Sequence, residues 1–129
     1  MNKELTGRFL SKRNVFAVVG ASRNREKYGH KVYKDLKNAG YTVYPVNPKA
    51  DRIDGERCYH SLKDLPELPS VVNVVVPPEV TEKVVRECQE LGIKKVWMQP
   101  GSESRKAIRF CRENCIGVLH GACIMVERR

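Results

Sequence analysis

The sequence lacks any long run of apolar residues. Its longest apolar stretches, such as residues 74–76, are too short to cross a bilayer, and the polar start Met1-Asn-Lys-Glu lacks the apolar core of a signal peptide. We therefore expect a cytoplasmic protein that does not enter a membrane. At 129 residues the chain leaves no room for a second catalytic domain, so one domain over residues 1–129 is predicted.

The sequence also lacks paired cysteines and clustered metal ligands. Its five cysteines are an odd number in a chain without an export signal, which predicts free thiols and no disulfide framework. Cys111 and Cys115, spaced i and i+4 on a predicted helix, have no further matched ligands. His30, His60 and His120 are scattered, so no metal site is predicted.

Long clusters of positive charge are absent, although the formal net charge is +9. The excess of Lys and Arg favours an anionic partner. However, the sequence has no continuous basic arm, no zinc-finger spacing and none of the aromatic spacing of an RNA-recognition motif. These absences argue against specific nucleic-acid binding and leave a phosphorylated cofactor as the better candidate.

The pattern that is present is an alternation of strands and helices. Apolar or β-branched runs predict strands at residues 15–19, 41–46, 71–76 and 94–98, with a last short strand at 117–120. Helical spacing predicts helices at residues 1–13, from about 29 to 39, after Pro78 and after Ser102. Such alternation indicates a single Rossmann-like α/β domain with a mostly parallel sheet and helices on both faces.

Several element boundaries follow from single residues. Gly40 and Gly92 are predicted to end the two helices that precede them. Ser102 is predicted to cap the start of the next helix, whose buried stripe includes Cys111 and Cys115. Residues 49–70 are the least regular part of the chain. Only a short strand at 57–59 and one or two helical turns after Ser61 are predicted there.

Backbone-permissive or polar residues follow four of the predicted strands. In a parallel sheet ligands bind beyond the carboxyl ends of the strands, where the strand order reverses. The four strand exits should therefore meet in one cleft. They are Gly20-Ala21-Ser22, Asn47-Pro48-Lys49, Pro77-Pro78 and Gln99-Pro100-Gly101.

The second strand exit lacks the carboxylate that holds an unphosphorylated ribose in a dinucleotide fold. Asn47 and Lys49 occupy this place. A cation here favours a phosphate on the ribose, because Lys and Arg are the usual phosphate partners. The sequence thus points to coenzyme A, with its 3′-phosphate, or to NADP, with its 2′-phosphate.

The loop after the first strand has the features of a diphosphate site. Gly20 would let the backbone approach the ligand, and the helix that begins near Gly29 would present its free amides. Ser22 could donate its hydroxyl, while Arg23 or Lys31 could neutralise charge. The loop lacks the usual tight glycine triplet, and a simple turn with solvated cations explains it equally well.

Apolar residues after the third and fourth strands complete the predicted cleft. Val76, Pro77 and Val80 would form a wall for an adenine ring, and Pro100 and Gly101 would border a pantetheine arm or a nicotinamide. Alternatively, the two valines belong to the ordinary core, and Pro100 and Gly101 only mark the start of the next helix.

Taken together, several segments resemble small stand-alone CoA-binding proteins, which are similar to the N-terminal CoA-binding domain of the succinyl-CoA synthetase α subunit. The resemblance covers about residues 14–127 and implies a Rossmann-like fold that binds CoA. It also implies diphosphate on the first loop, 3′-phosphate near Lys49, and adenine beside Val76 and Pro77. The matching segments are residues 19–22 with Gly29, 44–49, 74–77, 97–101 and 123–127.

The resemblance also limits the function. The phosphorylated histidine of the synthetase belongs to a further domain, and none of the three histidines matches it, so ligase activity is not implied. We expect a CoA or acyl-CoA carrier, sensor or thiol-protecting protein without catalytic machinery. The edge strand or the N-terminal helix could support a homodimer.

Two other functions remain open. An NADP-dependent oxidoreductase would share the phosphate argument and would need Tyr28, Tyr59 or a histidine as proton donor. A CoA-linked thiol redox protein would depend on Cys123, because the resemblance implies that this cysteine lies toward the cleft. A buried, inert Cys123 is the competing expectation.

Overall fold

The computed structural model describes residues 2–129. Five of the strands in this part of the chain form one parallel sheet in the order β2-β1-β5-β6-β7. Two further short strands, β3 and β4, pair antiparallel with each other. The strands are β1 Val15–Val19, β2 Thr42–Val46, β3 Arg52–Ile53, β4 Glu56–Arg57, β5 Val71–Val74, β6 Lys95–Met98 and β7 Gly117–Leu119.

Helices cover both faces of the parallel sheet, as predicted. Two buried clusters form the core, one beneath α1, α2 and α5 and the other beneath α3 and α4. Neighbouring residues of one strand face opposite clusters, with Trp97 in the first and Met98 in the second. The helices are α1 Lys3–Leu10, α2 Tyr28–Asn38, α3 Pro78–Leu91, α4 Arg105–Glu113 and α5 Ile124–Glu127.

The strand order reverses at β1. The chain moves from β1 to β2 on one side and then returns to place β5 on the other, so that Val19 lies opposite both Val46 and Val74. The carboxyl ends of these three strands are therefore level. This arrangement confirms the predicted Rossmann-like class and places a switch point beside Gly20.

The N-terminal helix is shorter than predicted. It covers Lys3–Leu10 rather than residues 1–13, of which residue 1 lies outside the described part. Asn2 caps its start by accepting a hydrogen bond from the Leu5 amide at 3.1 Å. The buried Asn14 amide donates to the carbonyls of Arg8 and Phe9 at 2.7 and 3.0 Å, which satisfies the last turn and ends the helix.

The predicted cap of α4 is wrong by two residues. Ser104 is the cap, and its hydroxyl accepts a hydrogen bond from the Ala107 amide at 3.2 Å. Ser102 is instead buried in a turn, where its hydroxyl accepts from the Val76 amide at 3.0 Å. This bond holds the exit of β5, which ends at Val74 rather than at residue 76 as predicted.

The predicted buried stripe of α4 is wrong at its end. The helix stops at Glu113, and Cys115 is exposed with a φ of 58° in the left-handed region. Asn114 and Cys115 turn the chain so that the Ile116 amide can bond to the Cys111 carbonyl at 2.8 Å. Cys111 and Cys115 therefore do not share a helical face.

Residues 49–70 contain a hairpin that was only half predicted. The strand expected at 57–59 is Glu56–Arg57, and it pairs with Arg52–Ile53 through a two-residue turn. Asp54 and Gly55 form that turn with φ values of 51° and 80°, as a type I′ turn requires. The helical turn after Ser61 is a 3₁₀ turn at Leu62–Asp64.

Candidate functional site

Two glycines close the loop between β1 and α2. Gly20 has a φ of 97°, and a Cβ atom there would lie 2.2 Å from the Val75 carbonyl oxygen. A Cβ atom on Gly29 would lie 1.9 Å from the carbonyl oxygen of Gly20. The start of α2 therefore packs directly against the end of β1, which only glycine allows at both positions. Of this loop, Ala21 is buried, Ser22 is half-buried, and Arg23 is exposed.

Asn47 organises the exit of β2. Its side-chain amide donates to the Ala21 carbonyl at 2.8 Å, and its side-chain oxygen accepts from the Lys49 amide at 2.8 Å. Pro48 and Lys49 are exposed at the tip of the turn. Within residues 2–129 the Lys49 side chain makes no ion pair. Asn47 thus holds the backbone, while the Lys49 ammonium is free to meet an anion.

Two adjoining cavities lie at the strand ends. One has a volume of about 410 Å³, and the other is a more apolar space of about 170 Å³. They share Tyr28 and Val75, so together they form one cleft from β1 to β6. The larger is lined by Gly20, Ser22, Glu26, Lys27, Tyr28, Gly29, Asn47 and Val75, and the smaller by Tyr28, Val75, Gln99, Pro100 and Cys123.

The cleft brings together some of the predicted site residues and adds others. Gly20, Ser22, Asn47, Pro100 and Cys123 line it, as expected from their strand ends. Gln99 also lines it, as expected from its strand exit, although no specific role was predicted for it. A lining role for Val75 was not predicted, and Tyr28 was considered only as a proton donor. Tyr28 is 63% exposed, and its ring lies 5.6 Å from the Lys31 ammonium. The sequence did contain a signal for the lining role of Tyr28, because this aromatic residue directly precedes Gly29 at the start of a predicted helix.

The remaining predicted residues lie outside the cavity lining. Val76 and Val80 are half-buried and pack against the core cluster beneath α3 and α4, while Pro77 is exposed. Gly101 is exposed with a φ of 92°, and Lys31 is exposed on α2.

A further cavity of about 520 Å³ lies against the hairpin and shares no lining residue with the cleft. It is lined by Asp51, Arg52, Arg57, Cys58, Tyr59, His60 and Asp64.

A chain of side-chain amides leads from the buried sheet to Cys123. The Ile124 amide donates to the Gln99 side-chain oxygen at 2.9 Å, which orients the Gln99 amide nitrogen toward the Cys123 sulfur at 3.2 Å. The Asn73 amide also donates to Gln99, at 3.3 Å. The Asn73 side-chain oxygen is buried and has no partner within residues 2–129. The Cys123 sulfur therefore accepts a hydrogen bond from the Gln99 side-chain amide.

The other cysteines divide into buried and remote. Burial raises the pKa of the Cys111 thiol to about 11 and also raises the pKa values of Cys58 and Cys88. These three thiols are thus protonated at neutral pH. Cys115 is exposed at the turn after α4. Only Cys123 lines the cleft.

None of the three histidines lines the cleft. His30 is almost buried and lies 2.8 Å from the Asp54 carboxylate, while the exposed His60 lies 2.8 Å from Asp51. His120 is half-buried after β7. Residues 2–129 contain no group of three or more His, Cys, Asp or Glu side chains arranged to hold a metal ion. Nor does any helix in this range combine the length and apolar character that a membrane span needs.

The His30–Asp54 contact predicts a dependence of stability on acid. The hydrogen bond from His30 lowers the pKa of Asp54 below its ordinary value of 3.8. A lowered native pKa stabilises the fold above the unfolded pKa, and this contribution is lost as the pH falls through the native value. We expect wild type to exceed Asp54→Asn in urea midpoint at about pH 6 and the difference to shrink below about pH 4. A constant difference would contradict the assignment.

A parallel Rossmann-like sheet with a glycine-closed loop after β1 and an exposed lysine after β2 belongs to the class of α/β domains in which ligands bind at the carboxyl ends of the strands. Comparison with known proteins identifies the family: residues 14–129 match the model of the CoA binding domain, and the chain belongs to this family.

The relatives are of two kinds. ADP-forming acetate–CoA ligase I of Archaeoglobus fulgidus is 43% identical over 124 residues, which cover 82% of this chain and 18% of the ligase. An uncharacterized protein of Bacillus subtilis is 34% identical over 117 residues, covering 91% of this chain and 87% of that protein. The chain spans only 12–28% of the length of three further ADP-forming acetate–CoA ligases that it matches.

A solved structure extends the comparison. A conserved hypothetical protein from Pyrococcus furiosus superposes with a TM-score of 0.84 at 46% sequence identity. The match covers 88% of this chain and 98% of the other. The same fold therefore occurs both as a protein of about this size and as a part of much longer ligases.

Proposed function

We propose that this domain binds coenzyme A, free or acylated, in the cleft at the carboxyl ends of β1, β2, β5 and β6. In this proposal the diphosphate lies on the Gly20–Gly29 loop, with Ser22 and one of Arg23 or Lys31 beside it. The 3′-phosphate lies at Lys49. The adenine packs against Val76, Pro77 and Val80, and the pantetheine arm passes Pro100 and Gly101.

The observation that carries the proposal is the exit of β2. Both ends of the Asn47 amide are engaged by backbone groups, which leaves the exposed Lys49 ammonium as the polar group offered to a ligand. A ribose with free hydroxyls would meet a cation where it needs an acceptor. A ribose phosphate would gain a charge-assisted contact. Membership in the CoA binding domain family supports the 3′-phosphate of CoA over the 2′-phosphate of NADP.

We propose a non-catalytic role, as a carrier, a sensor or a protector of the CoA thiol. The Ser22 hydroxyl accepts a hydrogen bond from the Asn24 amide at 3.0 Å and has no histidine beside it among the described residues. His30 and His60 contact Asp54 and Asp51 instead. Among the described residues, the hydrogen bonds of Ser22 and Cys123 in the cleft come from the amides of Asn24 and Gln99, and neither side chain is bonded to a base as acyl or phosphoryl transfer would require. Ligase activity in the longer relatives would rely on their additional length.

Lys49→Ala tests the proposal. We expect CoA to raise the melting temperature of the wild type well above the effect of dephospho-CoA or NADPH. Loss of a charge-assisted phosphate contact should weaken CoA binding by about tenfold or more and leave dephospho-CoA nearly unchanged. Calorimetric titration with both ligands measures the two affinities.

Lys106→Ala is the matched control, since Lys106 is an exposed lysine on α4 outside the cleft lining. It should leave both affinities unchanged. Equal affinities of wild type for CoA and dephospho-CoA would refute the Lys49 assignment. A larger thermal shift with NADPH than with CoA would favour the oxidoreductase alternative, in which Tyr28 is the available proton donor.

Cys123 supports a second candidate function, thiol exchange with the cofactor. It lies in the smaller cavity, and the Gln99 amide faces its sulfur. Because β1, β5 and β6 are neighbouring strands at about 4.8 Å spacing, the ends of β1 and β6 lie about 10 Å apart. A pantetheine arm that starts from a diphosphate on the loop after β1 spans this distance, so the CoA sulfur would meet Cys123.

A further inference from the structure

His30 has a buried contact that the proposed binding mode does not use. It belongs to the first turn of α2, next to Gly29, and its side chain is only 8% exposed. Its Nε2 atom lies 2.8 Å from the Asp54 carboxylate, whose side chain is 17% exposed. The helix start that would face the diphosphate is therefore tied to the β3–β4 hairpin.

The hairpin turn aims Asp54 at α2. Asp54 and Gly55 both adopt left-handed backbone conformations, and the two-residue connection leaves little freedom in direction. The Ile53 side chain just before the turn is fully buried in the core. Lys34 of α2 lies 3.6 Å from the same carboxylate. The contact is thus fixed from the hairpin side as well as from the helix side.

The hairpin and the Lys49 turn form one hydrogen-bonded unit. The Asn47 amide donates to the Tyr59 carbonyl at 2.9 Å, and the Tyr59 amide donates to the Pro45 carbonyl at 3.0 Å. The Cys58 amide donates to the Asp51 carbonyl at 2.8 Å. A shift of the hairpin would therefore move the backbone that carries Lys49.

We infer that His30 and Asp54 are a positioning pair that sets the separation between the diphosphate subsite at α2 and the 3′-phosphate subsite at Lys49. This inference rests on the proposed function. The pair touches neither phosphate; it acts through the helix start on one side and the hairpin on the other. A ligand that bridges both subsites depends on their spacing, whereas a ligand that uses only the diphosphate subsite does not. The pair thereby contributes to selection of the 3′-phosphorylated nucleotide.

His30→Ala tests the inference through a ratio of affinities. We expect the preference for CoA over dephospho-CoA to fall by roughly three- to tenfold, with dephospho-CoA affinity kept within about twofold. His30→Gln, which retains a side-chain N–H donor, should restore much of the preference. Asp54→Gly removes the other partner and suits the left-handed turn, so it gives the same test if His30→Ala fails to fold.

Glu56→Gln is the matched control, because it removes the charge from the more exposed ion pair between Lys37 and Glu56, whose atoms lie 2.8 Å apart between the same helix and hairpin. It should leave the ratio unchanged. A ratio that stays at the wild-type value in both His30→Ala and Asp54→Gly would overturn the inference, as would an equal fall in Glu56→Gln. Wild-type protein without any preference for CoA would instead refute the proposed function and the inference with it.

Discussion

Gly29→Ala is expected to destabilise the fold by about 4 kcal/mol or more, a large share of the stability of an ordinary domain. The added Cβ atom would lie 1.9 Å from the Gly20 carbonyl oxygen, a backbone atom that cannot rotate away. Either α2 must move from the sheet or the loop must open. Both changes remove the proposed diphosphate subsite, so CoA binding should be lost with stability.

Urea unfolding followed by fluorescence measures this effect, because the single tryptophan, Trp97, is fully buried. Gly7→Ala is the control. Gly7 lies within α1 and a Cβ atom there would meet nothing within 4 Å, so alanine should stabilise by about 0.5–1 kcal/mol through helix propensity. A Gly29→Ala protein within about 1 kcal/mol of wild type would show that the two glycines do not need to touch.

Incubation with CoA disulfide is expected to convert Cys123 almost completely into a mixed disulfide with CoA. The Cys123 thiolate attacks one sulfur of the disulfide, the new protein–CoA S–S bond replaces the old one, and one CoA thiolate leaves. No further oxidant is required. Cofactor binding should raise the effective concentration of this sulfur at Cys123. The mass of the intact protein counts the adducts, and peptide masses after proteolysis without reductant locate them.

Cys115 supplies an internal control, since it is exposed and lies outside the cleft lining. Cys115 should react with glutathione disulfide and CoA disulfide at similar rates, whereas Cys123 should strongly prefer CoA disulfide. Cys123→Ser should remove the fast CoA adduct and leave the slow one. Equal preference at both cysteines, or no adduct at Cys123, would exclude thiol exchange in the cleft.

The main architecture was predictable because each element follows from local chemistry. Continuous valine-rich runs predicted strands buried on both faces, and Pro78 and Gly92 correctly marked the start and end of α3. Gly20 and the exit of β2 were also placed correctly at one end of the sheet. Their meeting follows from parallel pairing alone, so the position of the cleft required no knowledge of side-chain contacts.

The details that escaped prediction depend on competition between neighbouring groups. Ser102 and Ser104 both suit a helix cap, and the choice was decided by the Val76 amide, which takes Ser102. Cys115 fits the helical spacing, but the chain turns before it. The Asp54-Gly55 dipeptide was a readable hairpin signal in the sequence. Its bond to His30 was not, because no local pattern reports a partner 24 residues away.

The close contact between Gly20 and Gly29 brings the two ends of the intervening loop together. The strand and the helix are joined at its base, and residues 22–27 project outward, mostly exposed. Changes in the length or charge of this outer arc therefore leave the framework intact, since no core packing passes through it. In the proposed binding mode, this arc is where ligand preference could change while the scaffold stays the same.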